Sequence, residues 1–187
     1  EATLPEGFPR ATFDDSTPAA CVLKGGDTLT NVRYNNTVID DAWGYHMREA
    51  REVTHNVWVR TDATGEVVAS GWMRDPKTDA ATNDARDRFA GRQDVRILAR
   101  RDGTVVYTAT VCGAPDDTID ANVTTGVSKV FRIEYGAYDT TCGRFEGTTM
   151  RSPTQAECEK NWCLFETPAD DLKCVYSWYP FIVGRLE

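Results

Sequence analysis

Few groups in this 187-residue chain are suited to acid–base or nucleophilic work. His46 and His55 are its two imidazoles. Nine residues apart on a helix they would lie about 180° from each other, so they could not share a substrate or a metal. His46 and Glu49 have the i, i+3 spacing of an acid–base couple, though a helix-surface contact explains them as well. There is no GxSxG elbow, HExxH pair, P-loop or GxGxxG turn. General acid–base chemistry would therefore rest on carboxylates. Glu134 and Glu146, on two adjacent expected strands, form the pair to test for glycoside cleavage; sheet-face charges would look the same.

Paired aspartates recur at Asp14-Asp15, Asp40-Asp41, Asp116-Asp117 and Asp170-Asp171. None has EF-hand spacing, and turns and caps want Asp in any case. The loop carrying Asp116, Asp117 and Asp120 is the best of them as a cation or binding loop. Cys142 sits among small residues with an arginine nearby, but without a histidine partner it is a poor nucleophile. Arg96, Arg100 and Arg101 cluster on one hairpin as a candidate recognition patch, although exposed strand charges also guard sheet edges. Tyr176, Trp178, Tyr179 and Phe181 crowd the C-terminal end, where alternation should send half of them to the core and leave half for a partner.

Six cysteines, Cys21, Cys112, Cys142, Cys158, Cys163 and Cys174, are even in number and include no CxxC pair. Structural zinc wants close ligand pairs, so three disulfides in an oxidising compartment are the expected use, with no metal. Cys21–Cys112 and two bridges among the C-terminal four are the leading arrangement of the fifteen that six cysteines allow. Sequons at Asn35 and Asn122 point the same way, to glycosylation and an extracellular location. With no basic, apolar leader at Glu1, the chain reads as a mature form from which a signal has been removed. The formal charge of −8 speaks against a nucleic-acid binder and against an anionic membrane surface. No apolar run reaches the length of a spanning helix, so membrane insertion is not expected.

These residues need elements to position them. The clearest is a hairpin from Asp94 to Cys112, whose two period-two runs flank Asp102-Gly103, a pair suited to a tight primed turn. A second hairpin runs from Val57 to Trp72 around Gly65, and the two are expected to share one antiparallel sheet. Strands are also expected at Cys21–Leu23, Thr28–Ile39, Val127–Tyr135, Thr140–Met150 and Val175–Val183. Trp43, Met47, Ala50 and Val53 repeat at helical spacing behind a capping Asp40 or Asp41, which predicts a helix over Asp41–His55. Part of Asp75–Arg92 reads equally as a short helix or a mobile surface excursion, and a helix from Ser152-Pro153 to Trp162 completes the list.

The expected fold is α+β: a mostly antiparallel sheet, as a meander, sandwich or barrel, with two or three short helices and disulfide stabilisation. Residues 1–18 form an extended arm and residues 19–187 one domain. Glu66-Val67-Val68-Ala69-Ser70-Gly71, a strand following the expected helix, resembles the QxVxG hairpin of cystatin-type cysteine-protease inhibitors over about thirty residues. It departs in having Glu for Gln, an extra residue before Gly71 and no C-terminal Pro-Trp loop. The leading functional expectation is a secreted, non-catalytic interaction protein of effector or toxin type, without a cofactor, engaging a protein partner through the loops Asp75–Arg92 and Gly113–Gly126. The alternatives are a lipocalin-like carrier of a small apolar ligand, with Trp58, Trp72, Tyr107 and Phe131 round a cavity, a protease inhibitor and a carboxylate-based glycoside hydrolase.

Overall fold

The computed structural model describes residues 13–42, 44–48, 51–75, 78, 89–113, 130–150 and 160–186. These residues form fourteen strands: β1 (Asp14–Val22), β2 (Thr28–Asn35), β3 (Thr37–Ile39), β4 (Tyr45–Met47), β5 (Glu52–Thr61), β6 (Val67–Met73), β7 (Phe89–Ala90), β8 (Gln93–Ala99), β9 (Val105–Gly113), β10 (Val130–Asp139), β11 (Arg144–Thr149), β12 (Cys163–Glu166), β13 (Leu172–Trp178) and β14 (Phe181–Arg185). Three sheets carry the architecture. The first is ordered β1-β2-β5-β6, with β7 added parallel to the start of β5; the second is β11-β10-β9-β8; the third is β12-β13-β14. β3 and β4 form a small separate ribbon.

The first two sheets stack face to face. Leu29 and Met73 of the first meet Val95, Tyr107, Ala109 and Tyr138 of the second, with Cys21, Trp58, Ile97 and Phe145 packed around them. Period-two alternation produces this arrangement, because Tyr107 and Ala109 share a face with their cross-strand partners Gly136 and Glu134. A polar thread crosses the interface: Tyr138 Oη donates to Asn31 Oδ1 (2.7 Å), and Asn31 Nδ2 donates to Asn56 Oδ1 (2.9 Å). These buried groups are partnered, as a low-dielectric interior demands. The third sheet covers the other face of the second. Ile133 packs there with Trp162 and Cys174, and Thr108 Oγ1 donates to the Trp162 carbonyl (2.7 Å).

One turn design closes four hairpins. At Leu23, Asp62, Arg100 and Thr167 the residue's own amide donates to the carbonyl four residues on, and its carbonyl accepts from the amide three residues on. The third residue of each loop has positive φ: Gly26, Gly65, Gly103 and Asp170. This is the three-residue type I turn with a left-handed bulge residue. The Asp102-Gly103 hairpin therefore does not use the expected two-residue primed turn. Asp102 Oδ1 accepts from the Thr104 amide (2.8 Å) and hydroxyl (2.6 Å), which moves the turn's start back to Arg100.

Several expectations are corrected. The fold is all-β among the described residues, not α+β. Asp41–His55 is not a helix, because Asp40 Oδ1 takes the amides of Ala42 (2.9 Å) and Gly44 (2.7 Å) to close the β3–β4 loop. The later part of that stretch, rich in Val and Thr, finds neighbours on both sides as β5. The expected helices within 79–88 and from Ser152 lie outside the described residues, apart from the latter's end, where Asn161 has φ +61°. The two marker hairpins sit in different, facing sheets. Val175–Val183 is not one strand but the β13–β14 hairpin.

The disulfides are a second correction: none links Cys21, Cys112, Cys142, Cys163 and Cys174. Cys163 pairs with Val175 and Leu164 with Cys174, so the two thiols leave opposite faces of the β12–β13 pair. Cys21 lies beside the backbone of Ala99, which ends β8 opposite Val105, whereas Cys112 is seven residues beyond Val105 along β9, roughly 23 Å. Burial pushes the Cys21 and Cys174 thiols up from their ordinary pKa, and both sit in apolar clusters as small hydrophobes. Cys158 lies outside the described residues.

Candidate functional site

The most heavily charged buried spot gathers round Arg92, at the bend between β7 and β8. Gly91 makes the bend possible: its φ is +90°, and a Cβ there would come 2.0 Å from the Thr54 carbonyl oxygen. The Arg92 guanidinium grips Glu134 with two donors, Nε to Oε1 (2.6 Å) and Nη2 to Oε2 (3.1 Å). Nη1 donates to Asp75 Oδ2 (2.5 Å). The Phe145 ring lies 4.9 Å under the guanidinium carbon, and the Tyr107 hydroxyl donates to Glu134 Oε1. Burial works against the charge on Arg92, but the hydrogen bond to Glu134 and the Asp75 carboxylate outweigh it and raise its pKa. Burial and then Glu134 push the Tyr107 phenol far above its usual range.

A cavity of about 60 Å³ adjoins this group, lined by Asp75, Phe89, Arg92, Cys112, Glu134 and Thr149 among others. Ligand pockets run to several hundred Å³, so this one has the scale of a few waters. Both Glu134 oxygens are engaged by donors from Arg92 and Tyr107. The group ties β10 to the β7–β8 bend and to β9.

The structure separates the expected glycosidase pair. Glu134 stands opposite Thr149, whereas Glu146 stands opposite Ala137, an odd number of residues along β10. The two carboxylates leave opposite faces and cannot flank one glycosidic bond. His46 is exposed on β4 with Nε2 2.6 Å from Asp40 Oδ2, while His55 is buried in β5 between Phe13 and Trp72. Among the described residues no cluster of three or more His, Cys, Asp or Glu could hold a metal.

The three arginines do meet, but on their own protein. Arg100 Nε donates to Glu166 Oε1 (3.0 Å), and the Arg101 amide donates to Glu166 Oε2 (2.9 Å). Arg101 Nη1 reaches the Pro168 carbonyl and Asp170 Oδ1, both at 2.9 Å, and Arg96 Nη2 reaches Asn161 Oδ1 at 3.4 Å. They clamp the tip of the β8–β9 hairpin to the third sheet. Asn35 ends β2 opposite Thr54 and is half-buried. Asp116, Asp117, Asp120 and Asn122 lie outside the described residues, as do residues 76–77 and 79–88 of the first loop expected to meet a partner and 114–126 of the second; the described ends of the first loop, Asp75 and 89–92, belong to the buried Arg92 group.

The proposed carrier aromatics do not gather round one space. Tyr107 and Trp58 belong to the main core, Trp72 packs on His55, and Phe131 packs on Phe89. Of the cystatin-like residues, Glu66 closes the β5–β6 turn and Val67 to Gly71 lie within the hydrogen-bonded strand β6, preceded by strand β5 in place of a helix.

The C-terminal aromatics do not divide in half as alternation would have it: one of the four packs inward and three stay exposed. Tyr176 packs on Trp162, with ring centroids 5.1 Å apart. Trp178, Tyr179 and Phe181, at the β13–β14 turn, are 64%, 97% and 63% exposed. An extra residue on β13 between Val175 and Ser177 offsets the pairing just before this turn. Such a group of bare rings is out of character for a soluble surface.

Fold and surface together define a class: a protein of three stacked β-sheets whose charged interior groups are spent on structure and whose aromatic turn faces outward. No family model matches the chain, and no curated protein matches it. Among solved structures, a protein of unknown function from Dyadobacter fermentans is similar at 15% identity over 92% of this chain and 50% of that one, with a TM-score of 0.44. The chain thus spans about half the length of that protein.

Proposed function

We propose that this protein acts by binding another protein and not by catalysis, as a secreted interaction protein of the effector type, and that the β13–β14 turn is its contact surface. The observation that carries this is the exposure of Trp178 and Tyr179 side by side at the end of a hairpin anchored by Trp162 and Tyr176. Trp and Tyr dominate binding energetics because each buries a large rigid area and offers one polar atom. A turn held on a packed sheet presents them at little further entropic cost. The extracellular placement rests on the sequons at Asn35 and Asn122 and on the acidic charge, without support from disulfides.

A photo-crosslinking amino acid at position 179, in protein exposed to its native surroundings, tests the reading. A discrete partner captured by this protein and lost on Trp178→Ala is the expected outcome. Equal capture with and without Trp178, or none, would overturn the assignment of this surface.

A further inference from the structure

β14 ends the third sheet: it pairs with β13 on one side and with no described strand on the other. Phe181, Ile182 and Val183 stand 63%, 42% and 43% exposed along it. From Phe181 to Gly184 the strand carries neither proline nor a charged side chain, the usual protections of an open edge, and its one charge, Arg185, stands at the end. β1, at the edge of the first sheet, does carry such protection: Pro18 and a break in register between Ser16 and Ala19.

The order of residues in Phe181-Ile182-Val183-Gly184-Arg185 is complementary to itself when run antiparallel. About a two-fold axis at Val183, Phe181 of one copy faces Arg185 of the other, and Ile182 faces Gly184. The first contact sets a guanidinium against an aromatic ring at the cross-strand distance where such pairs interact. The second places a bulky side chain opposite a position with none. Arg185 is available for this: its side chain is 63% exposed and its hydrogen bond to Asp171 is long, 3.3 Å. A two-fold interface must satisfy both halves with the same residues, and this strand does so in one register.

We infer that β14 is the site of homodimerisation, joining the third sheets of two copies into one six-stranded antiparallel sheet. The pairing runs the two hairpins in opposite directions, so the aromatic turns point to opposite ends of the dimer. A partner with repeated sites would then be held bivalently. The inference rests on the strand edge and not on the binding role proposed for Trp178 and Tyr179.

Sedimentation equilibrium of the purified protein over a micromolar to hundred-micromolar range tests it. Wild type is expected as a dimer. Val183→Lys puts two like charges face to face at the axis and is expected to weaken association about tenfold or more, with an unchanged circular dichroism spectrum. Phe181→Arg, which opposes arginine to arginine, is expected to do the same. The double variant Phe181→Arg, Arg185→Phe restores the contact with its members exchanged and should recover the dimer. A monomeric wild type, or a dimer indifferent to Val183→Lys and Phe181→Arg, would overturn the inference. The double variant Trp178→Ala, Tyr179→Ala should remain dimeric while losing partner capture, which separates this result from the binding proposal.

Discussion

Arg92 shows how much one residue can hold. Replacing it with Ala would remove the guanidinium that the buried Asp75 and Glu134 carboxylates share. Breaking a buried pair in this way costs about 3–5 kcal/mol, so Arg92→Ala should lower the urea midpoint sharply or abolish folding. Glu134→Gln, which keeps shape and one acceptor, should cost clearly less. Indifference to Arg92→Ala would mean that solvent reaches the group. The tyrosines give a pH test at the same scale. Burial raises the Tyr107 phenol, helped by Glu134, and burial likewise raises Tyr138. A phenol whose folded pKa exceeds its unfolded one stabilises fully below the unfolded pKa, about 10, and loses that contribution as pH rises further. Stability should therefore fall above about pH 10, with the Tyr107 and Tyr138 phenolate signals appearing only on unfolding. Ionisation of all tyrosines in the folded protein would contradict their burial. Sequence inspection placed Glu134 on a strand but not in this group. Its partners lie 42 and 27 positions away, at Arg92 and Tyr107, and no local pattern records such distances.

At the scale of elements, the four equivalent turns set the hairpins within the sheets, and the Glu166 clamp joins the second sheet to the third. Gly103 has φ +93°, so Gly103→Ala should cost about 1 kcal/mol through the left-handed conformation it forces on a Cβ. Glu166→Ala removes the acceptor shared by Arg100 and the Arg101 amide. A loss of about 1–3 kcal/mol is expected, with amide exchange rising first in β12–β14 and only later in β8–β10. Uniform exchange across both sheets would show that the third sheet does not open separately. Hairpins were legible in the sequence because a two-residue period and a Gly at the turn are local signals. The type of turn was not, since the Asp carboxylates that shift its register act through hydrogen bonds two residues on. The Asp41–His55 helix failed for a related reason. Four residues at helical spacing lose to a loop closed by Asp40 and to a strand with neighbours on both sides.

At the scale of the whole molecule the cysteines give the sharpest test. With five of six in thiol form and apart from one another, intact mass under denaturing, non-reducing conditions should equal the all-thiol value and not change on reduction. A mass lower by two or more hydrogens would restore the disulfide framework and alter the packing of the third sheet. The three-layer stack also explains why an ordinary apolar content suffices: the second sheet is covered on both faces, by Leu29 and Met73 on one side and by Trp162 and Cys174 on the other. The Cys21–Cys112 bridge was one of the fifteen pairings that six cysteines allow, and the length of β9 sets the two thiols far apart.

Composition and periodicity by themselves determined that this chain is rich in antiparallel strands and that Gly65 and Gly103 close two of its hairpins. Each follows from backbone geometry acting over a few residues. Tertiary structure alone decided that the arginines clamp their own third sheet, that Glu134 and Glu146 face opposite ways, and that the thiols stay apart. Register and sheet stacking bring together groups that are tens of positions apart, and side-chain type constrains that pairing only weakly until the strands are in place.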